Sequence, residues 1–173
     1  YSLHEFAKNV YDVRAFAPDG AALPIARPDA YGWTIVQHGP SVSVRYRVFG
    51  DRVDGTYLAV DPTHAHMNMP AVVMWARGLE DRPVRLSLEP PRGARWEVAT
   101  QLYPGVRPLE FTAPNLQYLM DSPVEFGPIS LRQFQVDGRV FRFAAHHTGA
   151  ASELDRFMSD VQRIVTTERE IFG

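Results

Sequence analysis

The chain contains no cysteine, which excludes disulfides, thiolate catalysis and cysteine-ligated zinc or iron–sulfur sites. It also has no apolar run near the roughly 20 residues that a membrane-spanning helix requires. No basic start followed by an apolar stretch marks a signal peptide. The sequence therefore predicts a soluble protein without a membrane partner, and both the cytoplasm and the periplasm stay open as its compartment.

Further absences argue against nucleic-acid binding, a helical zinc-peptidase site, a serine hydrolase site and a phosphate-binding loop. The net charge of −2 gives no basic surface for nucleic acid. The scattered glycines form no phosphate-binding loop, and Ser122 lacks the Gly-x-Ser-x-Gly setting of a hydrolase nucleophile. The His-Glu-x-x-His zinc motif is also absent, because the nearest string, which starts at His4, has the cation of Lys8 where the second histidine belongs. These motifs predict no catalytic residue and no metal ligand set in this chain.

The residues that are present predict a mainly antiparallel β fold. Short segments with alternating apolar and polar residues are separated by glycine and proline turns. Strands are predicted over residues 10–16, 33–37, 42–49, 71–76, 84–88, 96–102, 131–136 and 140–145. The last two flank Asp137-Gly138, a strong hairpin signal. The length of 173 residues is enough for one domain with a substantial core.

Two helices complete the predicted fold. A short one covers residues 114–120, with Pro114 in its first turn. A long one starts near Ser152, with Asp155 as a capping partner, and carries apolar residues at spacings of three and four. These are Leu154, Phe157, Met158, Val161, Ile164 and Val165. We therefore expect an antiparallel β-sandwich or saddle-like sheet, with a β domain over residues 1–149 and a helix over residues 150–173. The pattern leaves open whether that helix docks on the sheet or projects and forms a homo-oligomer.

Several aromatic residues lie in strand-like segments, so most of them are expected in the core. They are Tyr31, Trp33, Trp75, Trp96 and Tyr103. A carbohydrate-binding surface would need several of them exposed on one face. The sequence thus also permits a stand-alone β-sandwich module that binds carbohydrate or protein. A third alternative is a small metalloenzyme, in which His64 and His66, two apart on one strand face, bind a metal with a carboxylate from elsewhere.

The most informative motif is the stretch over residues 121–127, Asp-Ser-Pro-Val-Glu-Phe-Gly. Proline stiffens the chain and pushes Ser122 toward extended geometry, while Gly127 permits a positive φ and a sharp turn. Val124 and Phe126 share one face, so Glu125 is directed to the other. Asp121 and Glu125 would be about 13 Å apart in an extended stretch, too far to work as an acid–base pair.

This stretch resembles the N-terminal domain of the glycyl aminopeptidase family of zinc metallopeptidases. Three further segments share the resemblance: Glu5 to Asn9, Thr63-His64, and Trp96 to Leu102. The resemblance covers nearly the whole chain in the right order. It implies a bacterial-type hydrolase with this β domain, a thermolysin-like domain that holds the zinc site, and a PDZ-like module. It also implies that both ends of the chain are internal to a longer polypeptide, since the family's first strands are missing and the first residue is Tyr1.

The resemblance implies a non-catalytic role for this chain. Its partners would be its own catalytic domain and the amino terminus of a peptide substrate, whose cleft it helps to form. By analogy with related aminopeptidases, Glu125 is expected to contact the substrate's free amine, together with Asp121. The chain alone is expected to be inactive.

Overall fold

The computed structural model describes residues 4–172, and these residues form a mainly antiparallel β fold. In chain order, the strands are β1 (Val10–Phe16), β2 (Ala22–Leu23), β3 (Ile25–Ala26), β4 (Thr34–Ile35), β5 (Ser43–Val48), β6 (Leu58–Val60), β7 (Ala65–Met67), β8 (Val84–Ser87), β9 (Glu97–Thr100), β10 (Tyr103–Pro104), β11 (Glu110–Ala113), β12 (Val124–Gly127), β13 (Ser130–Val136) and β14 (Arg139–Ala145). The helices are α1 (Leu116–Met120) and α2 (Ala151–Phe172), and short 3-10 helices cover Phe6–Asn9 and Met69–Ala71. The predicted fold class, mainly β with one short and one long helix, is confirmed.

A four-stranded sheet with the order β6-β7-β12-β9 holds the stretch singled out in the sequence. Two three-stranded sheets, β10-β11-β8 and β2-β1-β5, and the pairs β3-β4 and β13-β14 complete the β structure. Every pairing between these strands is antiparallel. The sheet β6-β7-β12-β9 therefore has two faces whose side chains alternate along each strand.

One face of this sheet covers the core of the protein. Val124 and Phe126 are only 0% and 4% exposed, and they pack in one cluster with Met67, Met69 and Leu119. Trp96 packs edge-on against Phe126, with ring centroids 5.0 Å apart. The predicted alternation along β12 is confirmed, and it directs Glu125 to the opposite face.

The hairpin β13-β14 and helix α2 pack against each other. The turn of the hairpin is the predicted Asp137-Gly138, with φ angles of 48° and 76°. Helix α2 docks with Leu154 and Met158, which are 7% and 8% exposed, and its Asp155 accepts a 2.7 Å hydrogen bond from Arg132 on β13. Among residues 4–172, the main core cluster takes none of its members from the hairpin or from α2. These two elements therefore form a small packing unit of their own.

The predicted strand over residues 71–76 is wrong. Met69–Ala71 forms a 3-10 helix, and the residues after it join no strand. The hydroxyl of Tyr46 donates to the carbonyl of Val72 at 2.9 Å and accepts from the N–H of Met74 at 3.1 Å. Because a side chain satisfies these backbone groups, the segment needs no neighbouring strand.

Other predicted boundaries shift by a few residues. The strands predicted over residues 33–37 and 96–102 shorten to Thr34–Ile35 and Glu97–Thr100. Helix α2 begins at Ala151, and its first turn is capped by Glu153, whose Oε2 accepts the N–H of Ala150 at 3.1 Å. Ser152 and Asp155 thus do not form the predicted capping pair, because Ser152 already lies inside the first turn of the helix. Within the described part of the chain, neither helix has the length and apolar character needed to cross a bilayer.

Candidate functional site

The Ser-Pro turn that leads into β12 is held by buried hydrogen bonds. Ser122 is 0% exposed, and its Oγ donates to the carbonyl of Tyr118 at 2.6 Å and accepts from Gln101 Nε2 at 3.2 Å. Asp121 lies at the C-terminal end of α1, where its exposed carboxylate accepts a 2.8 Å hydrogen bond from Gln117. Asp121 is thus engaged with its own helix, outside strand β12.

Glu125 pairs across the sheet with His66. The two residues are direct partners in the register of β12 and β7, and His66 Nδ1 is hydrogen-bonded to Glu125 Oε1. Their side chains are 20% and 31% exposed. The stiff Ser-Pro turn before β12 predicts a fixed direction for Glu125, and this contact fixes its carboxylate. Within residues 4–172, the second oxygen, Oε2, has no protein partner.

Small side chains flank the pair on both outer strands. The register places Ala59 of β6 beside His66 and Ala99 of β9 beside Glu125. A row Ala59-His66-Glu125-Ala99 therefore crosses the sheet, with two polar groups between two methyl groups. We call this row the His66–Glu125 site. Ala59 is 4% exposed, whereas the Glu125 side chain keeps 31% of its surface exposed.

His66 carries an unsatisfied nitrogen at this site. Its Nε2 is buried and has no hydrogen-bond partner among the described residues. A neutral imidazole that donates from Nδ1 to the carboxylate has its acceptor lone pair at Nε2. Within the described part of the chain, the pair is thus incompletely satisfied on both sides: His66 Nε2 is buried without a partner, and Glu125 Oε2 has no protein partner.

His64 has surroundings of its own, so the two histidines do not share a ligand. Its ring stacks on that of His146 at the end of the hairpin, with centroids 3.9 Å apart and planes 9° apart. Its Nδ1 lies 3.4 Å from Asp61 Oδ2. Among residues 4–172, no cluster of three histidine, aspartate or glutamate side chains is arranged to hold a metal.

The carboxylate of Asp61 is kept ionised by local donors. The Thr63 hydroxyl and the N–H groups of Thr63 and His64 all point to this carboxylate. These hydrogen bonds, that of the hydroxyl first, hold the pKa of Asp61 well below its ordinary value. A negative charge therefore stays beside His64 at any pH above strong acid.

Gly127 serves a different purpose from the predicted sharp turn. It lies in strand β12, and it is not among the described glycines with positive φ. A Cβ at this position would lie 2.7 Å from His64 Cβ and 3.3 Å from the carbonyl of Thr63. Glycine is needed here because the neighbouring segment approaches the backbone closely.

The expectation that most of the aromatic residues are in the core is wrong. Tyr31, Trp75 and Tyr103 are 64%, 52% and 54% exposed, whereas Trp96 packs against the core.

The sequence did not predict that His66 and Glu125 form a pair, although both residues were candidates. They are 59 positions apart, and no local signal reports the register of two such distant strands.

The comparisons with known proteins agree with this fold. Residues 1–128 match the family model of the peptidase M61 N-terminal domain. The chain belongs to this family. The resemblance to the N-terminal domain of the glycyl aminopeptidase family is thus confirmed. The matched range includes the His66–Glu125 site and stops before the hairpin β13-β14.

A solved structure extends the likeness beyond the matched range. An aminopeptidase N family protein from Idiomarina loihiensis superposes on 99% of this chain with a TM-score of 0.86 at 22% identity. The fold of this M61 N-terminal domain is therefore shared with that protein, including the hairpin and α2. The chain spans 30% of the length of that protein. No curated protein matches the chain.

Proposed function

We propose that this M61 N-terminal domain is the non-catalytic part of a zinc-dependent aminopeptidase and helps to form its substrate cleft. In this proposal, Glu125 receives the free amino terminus of the peptide substrate. Family membership supports the peptidase assignment, and the His66–Glu125 site supports the role of Glu125. The catalytic domain of the same polypeptide would be the partner of this domain.

One observation carries the proposed contact. The Glu125 carboxylate is held by His66 through Oε1 and keeps Oε2 without a protein partner within residues 4–172, in a row where Ala59 and Ala99 flank the pair. A primary ammonium is a compact donor group that such an oxygen can receive. A charge-assisted hydrogen bond of this kind contributes about 1.5–3 kcal/mol when partly desolvated.

The residues that the structure describes do not fit a catalytic zinc ion. A zinc site in a peptidase needs three protein ligands, typically two histidines and a carboxylate. Residues 4–172 offer no such group, and the sequence contains no His-Glu-x-x-His string. We therefore assign the zinc to another part of the polypeptide and expect this chain alone to be inactive.

The proposal is tested in the natural polypeptide that contains this domain. Glu125→Gln keeps the size of the side chain and its ability to accept from His66 but removes the charge. We expect kcat/KM for peptides with a free amino terminus to fall about 10- to 100-fold, in line with the loss of one charge-assisted contact. The measurement is steady-state hydrolysis of amino-terminal substrates.

Two further variants make the result specific. Asp121→Asn tests the second predicted residue, and a comparable loss would bring Asp121 into the site. Glu89→Gln removes an exposed carboxylate elsewhere and should leave kcat/KM unchanged. A folded Glu125→Gln enzyme with wild-type kcat/KM would exclude the proposed contact.

A further inference from the structure

A half-open cavity that shares no residue with the His66–Glu125 site has four aromatic side chains among its thirteen lining residues. It has a volume of about 220 Å³, and its walls include Phe6, Tyr31, Trp33, Val73, Trp75 and Arg77. An apolar cavity of about 150 Å³ is already sufficient for benzene. One aromatic side chain of a ligand therefore fits in this space.

The walls of the cavity are fixed before any ligand arrives. The segment that leads to Trp75 is held by Tyr46, which bonds to the carbonyl of Val72 and the N–H of Met74. On the other wall, the guanidinium of Arg27 lies 4.9 Å from the centre of the Trp33 ring. A preformed site reduces the ordering cost of binding.

The positive charge of the cavity favours a ligand with a negatively charged polar group. Arg77 is the one charged residue in its lining, and within residues 4–172 it makes neither an ion pair nor a side-chain hydrogen bond. A guanidinium binds a carboxylate through two parallel hydrogen bonds. The nearby carboxylate of Asp29 is outside the lining and already accepts a 2.7 Å hydrogen bond from the N–H of Tyr31.

We propose that this cavity binds the C-terminal residue of a peptide with an aromatic side chain. The ring lies among Tyr31, Trp33 and Trp75, and the α-carboxylate pairs with Arg77. A free aromatic amino acid offers the same ring and carboxylate, but it adds an ammonium that Arg77 repels. An acylated amino group, as in a peptide, avoids this cost. The site is independent of the proposed contact at Glu125.

The test uses three small probes with the same side chain. They are N-acetyl-L-phenylalanine, its C-terminal amide and free L-phenylalanine, and binding is followed by calorimetry and by tryptophan fluorescence. We expect the acetylated acid to bind with a dissociation constant of about 1 mM. The amide and the free amino acid should each bind about tenfold more weakly.

Variants locate the binding and separate it from general hydrophobic association. Arg77→Gln should lower the affinity for the acid to that for the amide and leave the amide unaffected. Trp75→Ala should weaken both probes, and Arg82→Gln, a change at another exposed arginine, should alter neither. Since Arg77 is exposed, its variant folds, and circular dichroism verifies this for Trp75→Ala. Equal affinities for acid and amide, stronger binding of free phenylalanine, or no saturable binding of the acid would overturn the proposal.

Discussion

His66 and Glu125 are direct partners across β7 and β12, and the imidazole Nδ1 is hydrogen-bonded to the carboxylate Oε1. The pair stands on the face of the sheet opposite Val124 and Phe126, which are buried in the core. The packing of these two apolar residues thus fixes the strand that carries Glu125, and His66 then fixes its carboxylate. The Glu125 carboxylate therefore has a fixed direction in a row whose outer positions are the small residues Ala59 and Ala99.

Replacement of His66 should lower the stability of the fold only when the hydrogen bond to Glu125 is lost. His66→Leu leaves the half-buried carboxylate without a donor, and we expect the free energy of unfolding to fall by about 1 kcal/mol. His66→Gln can still donate from its amide and should stay near the wild-type value. Urea unfolding measures both variants. Equal loss in both would show that the ring itself, and not the hydrogen bond, supports the fold.

A methyl group at position 127 should disturb the contact with His64. In Gly127→Ala, the new Cβ would lie 2.7 Å from His64 Cβ, so the stacked pair with His146 has to move. We expect the free energy of unfolding to fall by about 1–3 kcal/mol, as in other overpacked sites. Gly39→Ala is the matched control, because its Cβ meets nothing within 4 Å. Similar stabilities of the two variants would contradict the close approach.

The acid stability of the domain should depend on Asp61. Its pKa is held below the ordinary value of 3.8, first by the Thr63 hydroxyl and then by backbone N–H groups. Because the folded state lowers this pKa, the stabilisation is fully present above pH 3.8 and is lost as the pH falls toward the lowered value.

Asp61→Asn should therefore be less stable than the wild type at neutral pH, and the difference should shrink below about pH 4. Urea midpoints across this pH range provide the measurement. Asp19→Asn, whose carboxylate accepts one hydrogen bond from the N–H of Ala21, is the control. A constant difference between Asp61→Asn and wild type at every pH would refute the linkage.

Loss of a buried side chain in α2 should loosen the hairpin–helix unit without unfolding the core. Met158 is 8% exposed, and Met158→Ala should lower the local stability by about 2–4 kcal/mol. Hydrogen exchange should then accelerate in β13, β14 and α2, while β12 stays protected. Ile164→Ala, at a position 56% exposed, should have little effect. Equal acceleration in β12 would mean that the two parts unfold together.

Of the fourteen strands in residues 4–172, the sequence predicted seven, β1, β4, β5, β8, β9, β13 and β14, because their signals are local. The alternation along β12 and the Asp137-Gly138 turn depend on neighbours in the chain, and both are confirmed. The strand predicted over residues 71–76 was wrong because this segment does not depend on its neighbours in the chain. Its conformation depends on the Tyr46 hydroxyl, which comes from a strand more than 20 positions away.

By itself, the sequence determined the mainly β class, the family and the direction of Glu125, because periodicity, turn chemistry and the motif over residues 121–127 are properties of short segments. Only the tertiary structure decided that His66 is the partner of Glu125, that Gly127 makes room for His64, and that Tyr31, Trp33 and Trp75 surround one cavity. These facts depend on strand register and loop placement, which are set by packing between distant segments. The local pattern determines on which face of the sheet each side chain lies, and the strand register determines which residue lies beside it.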